Sequence, residues 1–253
     1  MFKRDLIFRK PLMNAAGMLG FAPDVRLLEE TGDLENFGAF VTNPLSLRPR
    51  KAAPEPALIE YPGGFLLHSG LPNPGIKSAI KKYAQRWVDS SLPVIVHLMA
   101  DRPEETKQMV QLLENMDNVM AVELGFAPLL ADDILLLTLE MCAGELPLIF
   151  CLPAEQVLSL GPRLIEAGAR AISIAAPRGM LMRSDSNNPN FVEGRLFGPA
   201  LLAQSLHIVH QAGRLGLPVI GAGGVYSKDD ADAMIRAGAL AVQMDAKLWL
   251  PHE

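Results

Sequence analysis

Short apolar runs recur along this chain, and most are separated by stretches with helical spacing of apolar and charged positions. Runs of this length without polar alternation suit parallel strands covered on both faces. Pro11 to Ala15 predicts the first strand, ending in Asn14-Ala15-Ala16-Gly17. Ala39 to Thr42 predicts the second, Pro93 to Leu98 the third and Val119 to Leu124 the fourth. Leu146 to Leu152, Ala171 to Ala175, the run from Pro218 and Leu240 to Met244 predict the fifth to eighth. Helices are expected over Asp24 to Thr31, Lys77 to Ser90, Pro103 to Asn115, Asp132 to Ala143, Glu155 to Glu166, Pro199 to Ala212 and Ser227 to Arg236. Gly32 closes the first of these, Pro103 suits a first turn, and Asp132-Asp133 favours a helix start. Gly161-Pro162 is expected to interrupt the helix around it.

Eight strand–helix repeats with no linker or low-complexity tract predict a single (β/α)8 barrel, a TIM barrel, spanning 1-253 as one domain. A doubly wound sheet is the alternative. Met1 to Arg9 alternates charged and apolar residues and suits a short hairpin plugging one end of the barrel. Pro44 to Pro74 is long, rich in proline and glycine and without helical period, and loops of that length are usually functional. Arg183 to Arg195 is a polar loop. Pro44 to Pro74 and Arg183 to Gly198 are expected over the C-terminal mouth of the barrel.

The most distinctive stretch is Pro218-Val219-Ile220-Gly221-Ala222-Gly223-Gly224-Val225, within a strand–turn–helix–strand unit from Leu217 to Leu250. Glycines at a strand end let backbone N–H groups approach a phosphate without a Cβ in the way. They serve a tight βα turn equally well, and the stretch alone leaves both readings open.

Composition narrows the setting. The 253 residues are 49% hydrophobic, enough for a large core, and the formal charge of −5 supplies no field for nucleic acid. Two cysteines, Cys142 and Cys151, both in apolar patterns, do not indicate a disulfide scaffold. No run is long and apolar enough for a membrane span, and the N-terminus lacks the apolar region of a signal peptide. The expectation is a soluble cytoplasmic protein with a small-molecule or phosphate-bearing ligand, no nucleic acid and no membrane.

Barrel enzymes keep their chemistry at the C-terminal strand ends. There the sequence offers Asn14, Asn43, His97, Glu123, Cys151, Ala175-Ala176, Gly223-Gly224 and Asp245, with His68 in the loop after the second strand. The catalytic candidates are Glu123, His68, Cys151 and His97. Glu123 reads as a base or as an ion-pair partner of an arginine such as Arg178. Cys151 reads as a nucleophile or a small buried hydrophobe. Two histidines and a glutamate have metal-ligand chemistry but no short ligand spacing, so no metal is assigned.

The chain resembles the dihydroorotate dehydrogenase family of flavin-dependent (β/α)8 barrels. The matching pieces are Asn14-Ala15-Ala16-Gly17 with Leu19-Gly20-Phe21, Gly38 to Thr42 leading to Leu47-Arg48-Pro49-Arg50, Tyr61-Pro62-Gly63-Gly64, and Gly70-Leu71-Pro72-Asn73-Pro74-Gly75. Arg178-Gly179-Met180, Gly194 to Leu201, Pro218 to Val225 and Ala237-Gly238-Ala239 through Val242-Gln243 follow in the family's order. The resemblance implies FMN at the strand ends. Its phosphate would sit on the backbone of Gly198, Gly223 and Gly224, and its ring near Ala15, Ala16, Gly17, Thr42 and Asn43. It also implies a homodimer or a partner subunit.

The departures from the family pattern cluster at the same place. Asn43 stands for a lysine, His68 for an asparagine and Cys151 for a second lysine. Glu123-Leu124-Gly125-Phe126 replaces the loop that carries the catalytic base. Ala175-Ala176 replaces an Asn-Thr pair, and Asp245-Ala246, with Lys247 next, replaces a glycine-threonine pair. Proton abstraction from carbon needs a base within hydrogen-bond reach, and a carboxylate beside a phosphate repels it. Three readings follow: an FMN-dependent oxidoreductase with an altered substrate, a catalytically silent homologue acting as a binding or assembly subunit, and a barrel that binds another phosphorylated ligand.

Overall fold

The computed structural model describes residues 5–24, 37–183 and 190–245. The helix expected over Asp24 to Thr31 and the residue Lys247 lie outside them, apart from Asp24. Eight parallel strands close into a barrel: β1 (Leu12–Asn14), β2 (Phe37–Val41), β5 (Val94–Met99), β6 (Val119–Gly125), β7 (Leu148–Leu152), β8 (Ala171–Ile174), β11 (Val219–Ala222) and β12 (Ala241–Met244). The circuit runs β1-β12-β11-β8-β7-β6-β5-β2, so the expected (β/α)8 barrel is the observed fold.

Six helices are described around it. They are α1 (Ile76–Val88), α2 (Pro103–Leu113), α3 (Asp132–Met141), α4 (Ala154–Ala167), α5 (Leu202–Arg214, after a 3-10 turn at Pro199–Leu201) and α6 (Lys228–Ala237). Their ends follow local chemistry. Glu104 and Glu105 sit in the first turn of α2, where the helix dipole favours negative charge. In α6 the Ser227 and Asp230 side chains reciprocally cap the first turn, and Gly238 ends the helix at φ 114°. The expected break at Gly161-Pro162 does not occur: α4 runs through both residues. Gly161 is buried there, with Leu217 and Ile172 beside the position of a Cβ, so packing against the barrel sustains the helix despite the proline. No helix among the described residues is long and apolar enough to cross a membrane.

The core has two layers. Between barrel and helices lie residues such as Phe40, Trp87, Leu98, Leu124 and Phe150. Inside the barrel lie Met13, Ala39, Val41, Ile95, Ala121, Ile149, Ala171, Ile220 and Ala241. Leu6 and Phe8 pack against this inner cluster, so the N-terminal segment plugs the barrel, but residues 5–9 form no strand.

Two stretches expected as loops are strands. β3 (Ala57–Tyr61) and β4 (Gly64–His68) form a hairpin around Pro62-Gly63, and β9 (Arg178–Arg183) pairs with β10 (Asn190–Phe197). β4 and β10 join the hairpins into one antiparallel sheet, β3-β4-β10-β9. One hairpin follows β2 and the other follows β8, so both rise from the C-terminal end of the barrel, as expected, and they roof it together. Helical periodicity could not reveal these strands, yet Pro-Gly between two short apolar runs is a turn signal.

Gly198 lies where the roof turns into the barrel. Its φ is 136°, and a Cβ there would overlap Gly63 O and Gly64 Cα. Gly198→Ala is expected to cost about 2–4 kcal/mol of stability, since both the backbone conformation and the sheet contact must give. Gly161→Ala meets only ordinary contacts and should gain up to about 1 kcal/mol from helix propensity. Urea denaturation of both variants checks the contrast, and equal effects would contradict the geometry.

Candidate functional site

Along each barrel strand, side chains two residues apart point the same way. Starting from the inner apolar layer, Ile95, Ala121, Ile149, Ala171 and Ala241, one step of two toward the C-terminal end reaches His97, Glu123, Cys151, Ser173 and Gln243. All five are buried. The mouth of the barrel is therefore floored by a polar layer set on an apolar one.

Glu123 lies at the centre of that layer and is 1% exposed. Its Oε1 accepts from Ser173 Oγ and from Gln243 Nε2, each at 2.7 Å, and its Oε2 accepts from His97 Nδ1 at 2.7 Å. The carboxylate's ion-pair partner is thus His97 and not an arginine. Burial pushes the Glu123 pKa up, but the hydrogen bonds and charge of His97, with Ser173 and Gln243, outweigh it and hold the carboxyl below its ordinary value. The His97 backbone N–H donates to Thr42 Oγ1 at 3.1 Å, which ties β5 to β2. A Cβ on Gly125 would overlap His97 Nε2, so this glycine makes room for the ring.

Cys151 lies beside this network. Burial first, and then the charge of Glu123, push its pKa up to about 12, against the opposing effects of Arg195 and of the hydrogen bond with Ser173. A thiol so placed stays protonated near neutrality and is a poor nucleophile.

The other expected positions divide. The Asn14 side chain donates from Nδ2 to Val41 O at 2.6 Å and accepts from Val41 N at 3.0 Å, bracing β1 against β2. Asn43 accepts from Gly20 N at 3.0 Å through Oδ1 and donates its own backbone N–H to Gly20 O, closing the loop after β1 onto the end of β2. Ala16, Gly17, Asn43 and His68 line one cavity of about 360 Å³, under the roof. Cys151, Ala175 and Ala176 line a second of about 340 Å³. Ala15 is held against β12 by its N–H to Met244 O at 2.6 Å. Among the described residues no group of three or more His, Cys, Asp or Glu is placed to hold a metal ion.

At the glycine turn after β11, Gly223 and Gly224 adopt φ 97° and 79°. A Cβ on the first would crowd Ser205 Oγ and one on the second the backbone of Leu202, so both glycines are required by packing against α5. Gly224 N donates to Asp245 Oδ2 at 3.4 Å, and Asp245 is buried. Tyr226 lies close by; burial, then the charges of Asp245 and Tyr61, push its pKa up to about 12. A carboxylate therefore already engages a donor that an FMN phosphate would need, and the residues at this turn do not fit that group.

Two kinds of residue were not singled out as site residues by the sequence reading. Ser173 and Gln243 are single polar residues in otherwise apolar strands, a signal that inward phasing along the strand makes usable. Arg195 and Arg178 line both cavities. They reach the mouth only through pairing of β10 with β9 and β4, which strand-end positions do not report.

Glu123→Gln replaces an acceptor oxygen with a donor facing donors, and should destabilise the barrel by about 3–5 kcal/mol. Because the folded pKa of Glu123 is depressed, its ionised form adds stability above the ordinary value of 4.5. That contribution is lost as pH falls below 4.5 toward the folded pKa. Denaturation from pH 7 to pH 3 should show the loss in the unmodified protein and a flatter acid limb in Glu123→Gln. Parallel acid limbs would mean that the carboxylate is not ionised in the fold.

Comparison with known proteins agrees with the architecture. The family model described as Dihydroorotate dehydrogenase matches residues 4–126. The protein named dihydroorotate dehydrogenase B (NAD(+)), catalytic subunit, of Pelobacter propionicus is 34% identical over 257 residues, covering 94% of this chain and 84% of the relative. The protein of the same name from Trichlorobacter lovleyi is 33% identical over 259 residues, covering 95% and 84%. A crystal structure of DHODH in complex with ferulenol from Eimeria tenella superposes with a TM-score of 0.74 over 94% of this chain and 76% of that one, at 16% identity, a likeness of fold. Sequence and fold together place this chain in the dihydroorotate dehydrogenase family.

Proposed function

We propose that this chain is a ligand-binding member of the dihydroorotate dehydrogenase family that does not itself oxidise dihydroorotate, serving as a binding or assembly subunit. The observation that carries this reading is the burial of Glu123 with both of its oxygens engaged by His97, Ser173 and Gln243. Removing a proton from carbon needs a base with a lone pair directed at the substrate. Both oxygens of Glu123 are engaged, and burial removes the carboxylate from contact with a ligand. Cys151 holds its proton near neutrality. His68 lines the cavity but stands on the roof hairpin rather than on the rigid strand ends.

The glycine turn supports the same reading. A phosphate there competes with Asp245 for the Gly224 N–H. Two like charges about 4 Å apart repel by roughly 4 kcal/mol at an effective dielectric near 20. The competing reading is an FMN-dependent oxidoreductase with an altered substrate, and it is favoured by identity to the catalytic subunits over nearly the whole chain.

Flavin titration by fluorescence quenching, with an assay of orotate formation, separates the two. The expected result is weak FMN binding, no orotate, and tighter binding by Asp245→Gly. The gain should be tenfold or more, with a ceiling near three orders of magnitude set by the repulsion. Tight FMN binding by the unmodified chain, unchanged in Asp245→Gly and accompanied by orotate formation, would establish the oxidoreductase instead.

A further inference from the structure

The cavity under the roof carries a charge pattern that neither the barrel nor the glycine turn explains. Arg178 on β9 and Arg195 on β10 are directly paired in the antiparallel register, so their side chains leave the same face of the sheet. Like charges directly opposite one another destabilise a strand pair. No ion pair or side-chain hydrogen bond of either guanidinium is found among the described residues, whereas Arg183 on the same hairpin pairs with Glu55 at 3.6 Å. Burial lowers the pKa of Arg195, and the charge of Arg178 lowers it further, while Cys151 and Glu123 oppose this. Half-buried and next to a second cation, Arg195 is held at an electrostatic cost.

The surroundings reinforce the pattern. Arg50 also lines this cavity, with its Nε donating to Gly70 O at 2.6 Å. His68 lines it too, and Glu193 supplies its one carboxylate. Three guanidinium groups against that carboxylate leave two positive charges in excess. The remaining wall is largely apolar, with Leu67 and Phe197 among the residues that form it. A cavity of about 360 Å³ is of the size that takes a small molecule.

We propose that this cavity binds a small dianion, a phosphate monoester or a dicarboxylate, held between the guanidinium groups of Arg178 and Arg195. Planar guanidinium groups recognise both anions through paired N–H donors. A bound anion relieves the repulsion between the two arginines, so a pairing that is unfavourable by itself becomes the recognition element. The proposal rests on reading the mouth as a binding site rather than a redox site, and it needs neither the glycine turn nor FMN.

The test is calorimetry and thermal unfolding of the full chain with inorganic phosphate, with malonate, and with chloride at matched ionic strength. One or both dianions should bind and raise Tm above the chloride control. Phosphate alone would indicate phosphate monoesters, malonate alone dicarboxylates, and either result supports the site. Arg195→Gln and Arg178→Gln should each weaken binding by about ten- to a hundredfold, and Arg195→Lys should retain part of it. Without added anion, Arg195→Gln should unfold at or above the Tm of the unmodified protein, because the repulsion with Arg178 is gone; a merely structural arginine would show a loss. Binding of neither dianion over chloride, or binding that survives in both glutamine variants, would overturn the proposal. Orotate formation would overturn the functional reading above and leave the dianion titration to be judged on its own.

Discussion

The carboxylate of Glu123 is the constraint on which the rest of the mouth depends. It is buried where the barrel strands converge, and three side chains from three other strands, β5, β8 and β12, close on it at 2.7 Å. A charge in that place is tolerated only when it is paired and hydrogen-bonded. The network therefore fixes how His97, Ser173 and Gln243 stand, and through them the floor of the cavity. Cys151 shares Ser173 as a neighbour, and burial first, then the charge of Glu123, keep its thiol protonated. Groups that read from the strand ends as catalytic candidates are, in the fold, largely one another's partners.

Above this floor the roof sheet has a different logic. Its central pairing joins β4, from the loop after β2, to β10, from the loop after β8, with Leu67, Leu66 and Phe65 opposite Arg195, Leu196 and Phe197. Phe65 stacks on Phe197, with ring centroids 5.6 Å apart, and Gly198 lets the chain pass without a Cβ. The β9–β10 hairpin holds Arg178 and Arg195 over one cavity that Arg50, from the loop after β2, also lines. The glycine turn completes the contrast: its conformation suits an anion, and the anion beside it is Asp245.

Much of the framework was legible in the sequence. Eight apolar runs became the eight strands of the closed barrel, because strands covered on both faces have no polar positions to hide the signal. Helix boundaries were readable where caps are local, as at Ser227, Asp230 and Gly238. The inner polar layer was partly legible, since His97, Glu123 and Cys151 stand at strand ends, but Ser173 and Gln243 required the inward phase of each strand. The roof hairpins were missed because their strands carry polar and glycine residues among the apolar ones, and Pro62-Gly63 and the Asn/Ser/Asp-rich stretch before β10 look like loop composition.

What the sequence by itself determined is the barrel, its family and the chemical types of side chain at the strand ends. Those follow from interactions between residues close along the chain and from burial periodicity. What only the tertiary structure decided is who pairs with whom. Glu123 meets Gln243 across 120 residues of sequence, and Arg195 faces Arg178 through strand register. Whether a strand-end carboxylate is exposed or engaged by neighbouring side chains, and which arginines share one cavity, depends on long-range closure of the barrel and its roof, which local pattern does not encode.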